Sequence, residues 1–541
     1  MKRIAASAGI SLTLLIGFLI AIVACSGERK EDTTSTQTGT TTTAVTQQTP
    51  VYCTDTAVTV PCSQMPHNVK TNPGYNTANM NAAVQADFDN FSWQSFVALN
   101  WPSNPDGTPS TAPLGSPGPT VWDLYKRADD VFLPGGATPD GNYPTQLFPP
   151  PPPACTASNT LTGGARAHVV QMFSKDDDQL NITDSFNEAA VNVPLIDSNG
   201  NFVAYDVAMN KDEFTYIFSK KYYNSNNQPP PTTTDPTFMV DFPPGVTGGA
   251  EGSIELKSAW KVLTAADDAS TYITRMMQLY VPAQNFCTPP LQMGLIGLHI
   301  IHKTEKEPAW IWSTFEHVNN APLSSTPLPA EAKEPAGQCA PPASSPKMSL
   351  YNPACKLPDG SPCPLNAPPV PPGTKDVQWA TSQPYAKQYL TNGQFGTQVV
   401  RCSSIYHVDG GTASLNPQWQ QKVPAPFSSY MLIGSQWFAP SDSPPASTDT
   451  ASVAYVNPDF PPGSIAAPPM LQNVAAETYL QNGTVLPGFH VGSCLGCHSG
   501  ANGAQCEPAD FSFLLGRAKP VQPCQKDGHA ATMKMLAERK P

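Results

Sequence analysis

The sequence predicts a multidomain protein in which a large, proline-rich α+β domain with a mixed, antiparallel sheet precedes a small, mostly α-helical C-terminal segment. The chain has 541 residues, more than one domain usually contains. Proline contributes 61 of them, about twice its usual share, so long ordered connections should separate short regular elements. Helical and extended patterns alternate without a regular strand–helix–strand period, which favours antiparallel pairing.

Three helices are predicted in the first half of the chain. They cover residues 87–100, 121–132 and 210–223. Phe88 and Leu99 follow the helical spacing of the first, and Pro102 requires that helix to stop. Thr120 and Asn210 are N-cap residues for the second and third.

Strands are predicted where short apolar runs are bounded by turn residues. The first two flank an Asp-Ser-Asn-Gly turn within residues 194–207. The others cover residues 253–263, 272–281, 291–302, 309–315 and 430–438. Two stretches that resemble linkers, residues 411–419 and 441–453, are predicted to be loops.

The last part of the chain differs in character. Residues 470–480 predict a helix, an apolar segment follows at 511–515, and a final helix begins near Ala530. We therefore expect a large domain of unknown role at 51–466 and a separate helical segment at 467–541.

The N-terminus predicts export. Lys2 and Arg3 precede an apolar run that ends in Ile-Val-Ala-Cys at Cys25, as in a lipoprotein signal peptide covering residues 1–25. Acylation of Cys25 would attach the protein to the outer or inner membrane and leave it in the periplasm or at the cell surface. An uncleaved membrane anchor is the alternative, because the run is nearly long enough to span a bilayer. Residues 26–50, rich in Ser and Thr, predict a flexible tether.

Charge excludes one class of partner. The net charge is −12, and no basic cluster follows the first three residues. Because nucleic-acid binding depends on clustered Lys and Arg that neutralise phosphates, a nucleic-acid partner is not expected.

The 13 cysteines also agree with export. Apart from Cys25 and the two cysteines of the motif discussed below, an even number remains, and outside the cytoplasm these predict disulfides. Closely spaced candidates are Cys53 with Cys62, Cys355 with Cys363, and Cys506 with Cys524. Spacing alone does not fix the connectivity.

The most specific motif is Cys494-Leu495-Gly496-Cys497-His498. Two cysteines three positions apart lie one helical turn apart, so both sulfurs can form thioethers with the vinyl groups of one haem. His498 can then bind the iron from the same side as an axial ligand. Chance would produce this pattern roughly 0.005 times per chain of this composition. The motif predicts one covalently bound haem c.

The segment GSCLGCHSG resembles the haem-binding segment of the cytochrome c family. The wider chain, with WQSFVALNWP, AWIWSTFEHVNNAP and SYMLIGSQWF, is similar to large bacterial monohaem lipoproteins. The cytochrome resemblance covers residues 467–541. The family's motif normally lies near the start of its domain, whereas only 43 residues follow His498 here. This departure implies that upstream sequence forms part of the haem pocket.

The sixth iron ligand stays open at this point. Met533 is the first candidate, because a methionine ligand raises the reduction potential and suits electron transfer. Met535 and His529 are alternatives in the same C-terminal stretch. An open coordination position is also possible. Histidines of the large domain are further candidates, although packing roles suit them better: His299, His302 and His317.

These features predict an electron-transfer protein that exchanges electrons with redox partner proteins and is held at a membrane by its lipid. No catalytic residue is assigned. One alternative is a haem enzyme of the peroxidase or oxygenase type, whose large domain forms a substrate pocket. The other is a surface binding module with an accessory haem, since electron transfer alone hardly requires so large a domain.

Overall fold

The computed structural model describes only part of the chain. The described residues are 60–69, 82–144, 151–156, 159, 161, 167–171, 194–230, 240–307, 310–329, 339–369, 378–389, 397–405, 411–437, 471–481, 494, 498, 501, 503–505 and 507–518. All of them belong to one unit, Pro50–Pro541. The predicted signal peptide, the tether, the loop at 441–453, the boundary near residue 466 and the helix from Ala530 lie outside the described residues.

The described elements follow in chain order. The helices are α1 (Ala82–Leu99), α2 (Ala128–Val131), α3 (Pro153–Thr156), α4 (Lys211–Lys220) and α5 (Thr412–Gln420). The strands are β1 (Lys126–Arg127), β2 (His168–Gln171), β3 (Ala204–Met209), β4 (Ile254–Val262), β5 (Thr274–Val281), β6 (Phe286–Cys287), β7 (Leu291–His302), β8 (Ile311–His317), β9 (Leu323–Leu328), β10 (Arg401–Ser403) and β11 (Tyr430–Gln436).

Nine of these strands form one large sheet. Its main path runs β1-β3-β4-β7-β5-β2, while β8 pairs with both β7 and β11, and β6 pairs with β5. The pairs are antiparallel except β2 with β5, so the sheet is mixed and mainly antiparallel. Strands β9 and β10 form a separate parallel pair. The predicted α+β class with a mixed, mainly antiparallel sheet is therefore confirmed for the described residues.

The longest strand, β7, organises the sheet. Along one edge its residues Met293 to His302 pair with β4. Along the other edge its first half pairs with β5 and its second half with β8. Because neighbouring side chains on a strand point to opposite faces, β7 contributes to two different cores.

Helix α1 covers one face of the sheet. Trp93 and Phe96 on this helix lie against Phe315 of β8, with ring centroids 5.1 and 4.6 Å apart. Leu298 and Ile300 of β7 belong to the same buried cluster. Burial of aromatic and aliphatic side chains on this scale makes α1 part of the main core.

The opposite face is covered by two late segments of the chain. Ile301 and Trp312 share a buried cluster with the segment 507–518. Tyr205 and Ala259 share another with the segment 471–481. Gly297 leaves room for the second segment, because a Cβ at that position would lie 3.2 Å from the Cβ of Ala475. Both segments therefore lie directly on the sheet.

Two predicted helices are confirmed, and one is shorter than expected. The first predicted helix corresponds to α1, and the third to α4, where Asn210 accepts a hydrogen bond from the Glu213 amide. After Thr120 a four-residue 3₁₀ turn, Val121–Leu124, forms first. The chain then enters β1, where Arg127 pairs with Asp206 at 3.0 Å. The short helix α2 follows at Ala128–Val131, so sheet pairing interrupts the predicted helix.

The predicted loop at 411–419 was wrong, because α5 forms there despite an internal proline, Pro417. Asn416 donates to the Leu432 carbonyl at 2.8 Å and accepts from the Leu432 amide at 2.9 Å. Trp419 stacks on Trp93 at 5.9 Å. These tertiary contacts outweigh the unfavourable helix propensity of the segment.

The predicted helix at 470–480 was also wrong. Within 471–481 the chain forms turns and a single 3₁₀ turn, Thr478–Leu480. The Asn473 side chain accepts from the Ala475 amide at 2.9 Å, and Glu477 accepts from the Asn473 amide at 2.8 Å. Such side-chain bonds to the local backbone compete with helix formation. A helical haem-binding segment is thus not shown by the described residues.

Disulfides are confirmed, with pairings that spacing only partly anticipated. Cys355 is bonded to Cys363, as predicted. Two longer links join residues far apart in sequence, Cys155–Cys287 and Cys339–Cys402. Cys62 is also disulfide-bonded. Cys53, Cys506 and Cys524 lie outside the described residues.

Candidate functional site

His498 lies against the sheet face that the late segments cover. Its ring centroid is 4.2 Å from that of Trp312 on β8 and 4.9 Å from that of Phe513. Cys494 packs at the margin of the same cluster and is half-buried. The large domain therefore supplies one wall of the site, and the segment after the motif supplies another.

A hydrogen bond fixes the orientation of the His498 ring. Its Nδ1 lies 2.8 Å from the carbonyl oxygen of Phe511, so Nδ1 carries the proton and donates. The Nε2 atom is then the unprotonated nitrogen. Histidines that bind metals through Nε2 commonly hold their other ring nitrogen in this way, with a backbone carbonyl or carboxylate as acceptor.

The backbone that presents this carbonyl has an unusual conformation. Asp510 and Phe511 both adopt left-handed φ values, 48° and 64°, which cost of order 1 kcal/mol or more each for residues with a side chain. Contacts on either side hold them. Lys303 pairs with the Asp510 carboxylate at 2.6 Å, and the Trp310 indole donates to the Asp510 carbonyl at 3.0 Å. The position of the Phe511 carbonyl is therefore determined by the sheet.

The surroundings of His498 favour its neutral form. The pKa of its imidazole is lowered to about 3, mainly by burial and in addition by the nearby charges of Lys257 and His299. The Phe511 carbonyl and Glu477 act in the opposite direction but are outweighed. At neutral pH the ring is thus uncharged, which is the state in which histidine binds a metal.

The residues present fit a haem. The neutral, oriented imidazole and the Cys494 thiol supply the donor chemistry of an attachment site. In addition, the indole Nε1 of Trp312 is buried with no hydrogen-bond partner among the described residues. An unpaired buried donor is unusual in a protein interior. Because the Trp312 ring contacts His498, this unpaired donor is consistent with a site that binds an additional group.

A second ionisable cluster lies next to the site. His299 is opposite Lys257 on β4 and Thr314 on β8, and directly opposed residues share a face of the sheet. Its Nε2 lies 3.2 Å from Oε1 of Glu477. The Glu477 pKa is lowered because His299 and Lys257 together outweigh the effect of its burial. Lys257, His299 and Glu477 of this cluster also act on the pKa of His498.

The other histidines of the large domain have structural partners. His302 is fully buried, and its Nε2 donates to the Glu251 carbonyl at 2.7 Å. His317 stacks on Tyr272 at 3.9 Å, and its Nε2 lies 3.0 Å from the Thr271 carbonyl. Burial lowers the pKa of both histidines to about 4. Their contacts support the packing role expected for them.

Several predicted site residues cannot be placed. Cys25, Cys497, His529, Met533 and Met535 lie outside the described residues. Among the described residues, no three His, Cys, Asp or Glu side chains are grouped as they would be around a bare metal ion. A search of the same residues for a helix long and apolar enough to cross a membrane found none.

The sequence did not point to Phe511, Phe513, Lys257 or Glu477. Phe511 acts through its backbone, which leaves no signature in residue type. Lys257 and Glu477 are ordinary charged residues that approach His498 only because the late segments fold back onto the sheet. The sequence likewise did not assign Trp312 to the site, and its ring contacts His498.

Comparison with known proteins gives no further guidance. No protein-family model, curated protein or solved structure matches this chain.

Proposed function

We propose that this protein is a c-type cytochrome with a single covalent haem, which transfers electrons outside the cytoplasm while anchored to a membrane by a lipid on Cys25. The observation that carries the proposal is the bond from His498 Nδ1 to the Phe511 carbonyl, 2.8 Å long, in a Cys-x-x-Cys-His motif. The motif supplies the attachment chemistry, and the bond leaves Nε2 available for iron.

The chain's own residues have distinct roles in this proposal. Cys494 and Cys497 hold the porphyrin by thioether bonds, and His498 binds its iron. The Phe511 carbonyl keeps the proton on Nδ1. Trp312 and Phe513 pack against the imidazole and help to bury it, which favours its neutral form. When bound, the haem supplies reversible one-electron exchange.

The first test is covalent attachment. The full-length protein is expressed with an export signal in a host that matures c-type cytochromes. Mass spectrometry should show the added mass of one haem, and the alkaline pyridine spectrum should be that of a haem with two thioether bonds. The double variant Cys494→Ser/Cys497→Ser should lose covalent haem. A matched control, Cys355→Ser/Cys363→Ser, should retain it. A wild-type protein without covalent haem would overturn the proposal.

A second test separates electron transfer from catalysis. Reduced protein is mixed with carbon monoxide, and the absorption change is followed. An electron-transfer site with two protein ligands should react slowly, and peroxide should not be consumed. Rapid binding together with peroxide turnover that is lost in His498→Ala would instead indicate a haem enzyme.

The lipid anchor is tested separately. Labelled palmitate should be incorporated into the wild-type protein and not into Cys25→Ser. The protein should be found in a membrane fraction exposed to the periplasm or the outside. Labelling that persists in Cys25→Ser would contradict the lipid anchor but leave the haem proposal intact.

A further inference from the structure

The position of His299 bears on the unassigned sixth ligand. It lies on β7, on the same face as Ile301, and Ile301 is paired with Trp312. The Trp312 ring is in contact with His498. His299 therefore lies two residues along β7 from Ile301, whose partner Trp312 contacts His498.

The same face of the sheet thus brings a second imidazole to the site from a distant part of the chain.

The Nε2 atom of His299 is buried and forms an ion pair with Oε1 of Glu477 at 3.2 Å rather than a well-directed hydrogen bond. In contrast, the Nε2 atoms of His302 and His317 are directed at carbonyl oxygens. Nδ1 of His302 also has no hydrogen-bond partner among the described residues, but that ring faces Phe91 of α1 on the other side of the sheet. On the face that carries His498, the imidazole nitrogen without a directed hydrogen bond is that of His299, and such a nitrogen suits a further ligand.

The ion pair between Glu477 and His299 can be broken at a modest cost in free energy. Its other oxygen accepts a hydrogen bond from the Asn473 amide at 2.8 Å, and Lys257 remains nearby as a cation. The Glu477 carboxylate would therefore not be left as an isolated buried charge. Ligation requires the His299 tautomer in which Nδ1 carries the proton and Nε2 has a free electron pair.

We propose that His299 is the sixth ligand of the haem iron, supplied by the large domain in place of Met533, Met535 or His529. This inference rests on the proposed function. The second ligand would then come from β7. Ligation by two histidines also predicts a lower reduction potential than ligation by histidine and methionine.

The test uses the matured full-length protein. The wild type should be low-spin in both oxidation states, with the electron paramagnetic resonance signal of two imidazole ligands and without the near-infrared methionine-to-iron band. His299→Ala should lose the low-spin signal and bind carbon monoxide rapidly. Added imidazole should restore the wild-type spectrum. His299→Met should gain the methionine band and raise the potential.

The control is Met533→Ala/Met535→Ala/His529→Ala, which should keep the wild-type spectrum. If His299→Ala does not fold, His299→Gln retains a side chain that can donate to Glu477 and should show the same loss. A methionine band in the wild type, or an unchanged low-spin spectrum in the folded His299 variants, would overturn the inference. The mass of covalently bound haem is measured in every variant. If the proposed function fails, the wild type carries no covalent haem. If only this inference fails, the wild type carries haem but His299 does not bind its iron.

Discussion

Glu316 on β8 accepts a hydrogen bond from the backbone amide of Val474 at 2.8 Å, although the two residues are far apart in sequence. The other Glu316 oxygen is paired with Arg401, and the carboxylate is completely buried. One side chain thus joins the sheet, the strand β10 and the segment 471–481. Since Glu477 of that segment reaches His299, the same contact helps to place the charged groups beside His498.

Arg401→Ala should destabilise the protein by about 3–5 kcal/mol, because it leaves the buried Glu316 carboxylate without its counter-ion. Urea unfolding gives the free energy. Lys347 is exposed and contacts only the Asn199 side chain at 2.7 Å, so Lys347→Ala should change little. Adding Glu316→Gln to Arg401→Ala should recover part of the loss. If Arg401→Ala and Lys347→Ala changed the free energy of unfolding equally, the role assigned to the Arg401–Glu316 pair would be contradicted.

The disulfides should differ in their contribution to stability. Cys155–Cys287 spans 132 residues and Cys355–Cys363 spans 8. By chain entropy, removing the first should cost about 5 kcal/mol and removing the second about 2.5 kcal/mol. Paired Cys→Ser variants of each are compared by urea unfolding under non-reducing conditions. A larger loss from the short link would show that effects other than loop closure dominate.

His302 should make the protein less stable in mild acid. Burial lowers its pKa from 6.5 to about 4. Between these values the unfolded chain takes up a proton that the folded protein does not, so stability falls as the pH drops. Replacement by Gln removes this dependence, and the stability advantage of the wild type over His302→Gln should shrink by about 2 kcal/mol from pH 7 to pH 5. A constant difference across this range would refute the prediction.

Glu507 should have the opposite effect on the pH dependence. Burial raises its pKa from 4.5 to about 8, and the residue is 1% exposed. Between these values the unfolded chain releases a proton that the folded protein retains, so stability falls as the pH rises. Glu507→Gln should therefore gain stability relative to the wild type, by up to a few kcal/mol, from pH 5 to pH 8. Exposed Glu305→Gln is the control, and its difference from the wild type should stay constant.

The sequence correctly predicted elements that depend on hydrophobic periodicity or on interactions between neighbouring residues. The strand at 291–302 has the predicted bounds, because its apolar run is long and ends at turn residues. Asn210 caps α4 as expected, since a cap depends on neighbouring residues alone. The pair Cys355–Cys363 closes a short loop and needed only proximity in sequence.

Elsewhere, distant contacts overrode local preference. Residues 412–420 are helical because Asn416 and Trp419 bind the core, and residues 471–481 are not helical because Asn473 bonds to β8 through Thr314 and Phe315. In both segments the contacting residues are far away in sequence. Helix propensity and hydrophobic periodicity are judged from neighbouring residues and cannot detect such contacts.

The sequence by itself predicted the chemistry of the motif, because the spacing of Cys494, Cys497 and His498 is a local property that would suit a porphyrin. It also determined the class of the large domain through the pattern of its strands. Only the tertiary structure decided the surroundings of His498. The Phe511 carbonyl, Trp312 and the pair His299–Glu477 meet there because two late segments fold back onto one face of the sheet, and such long-range packing is not encoded in the spacing of any single stretch.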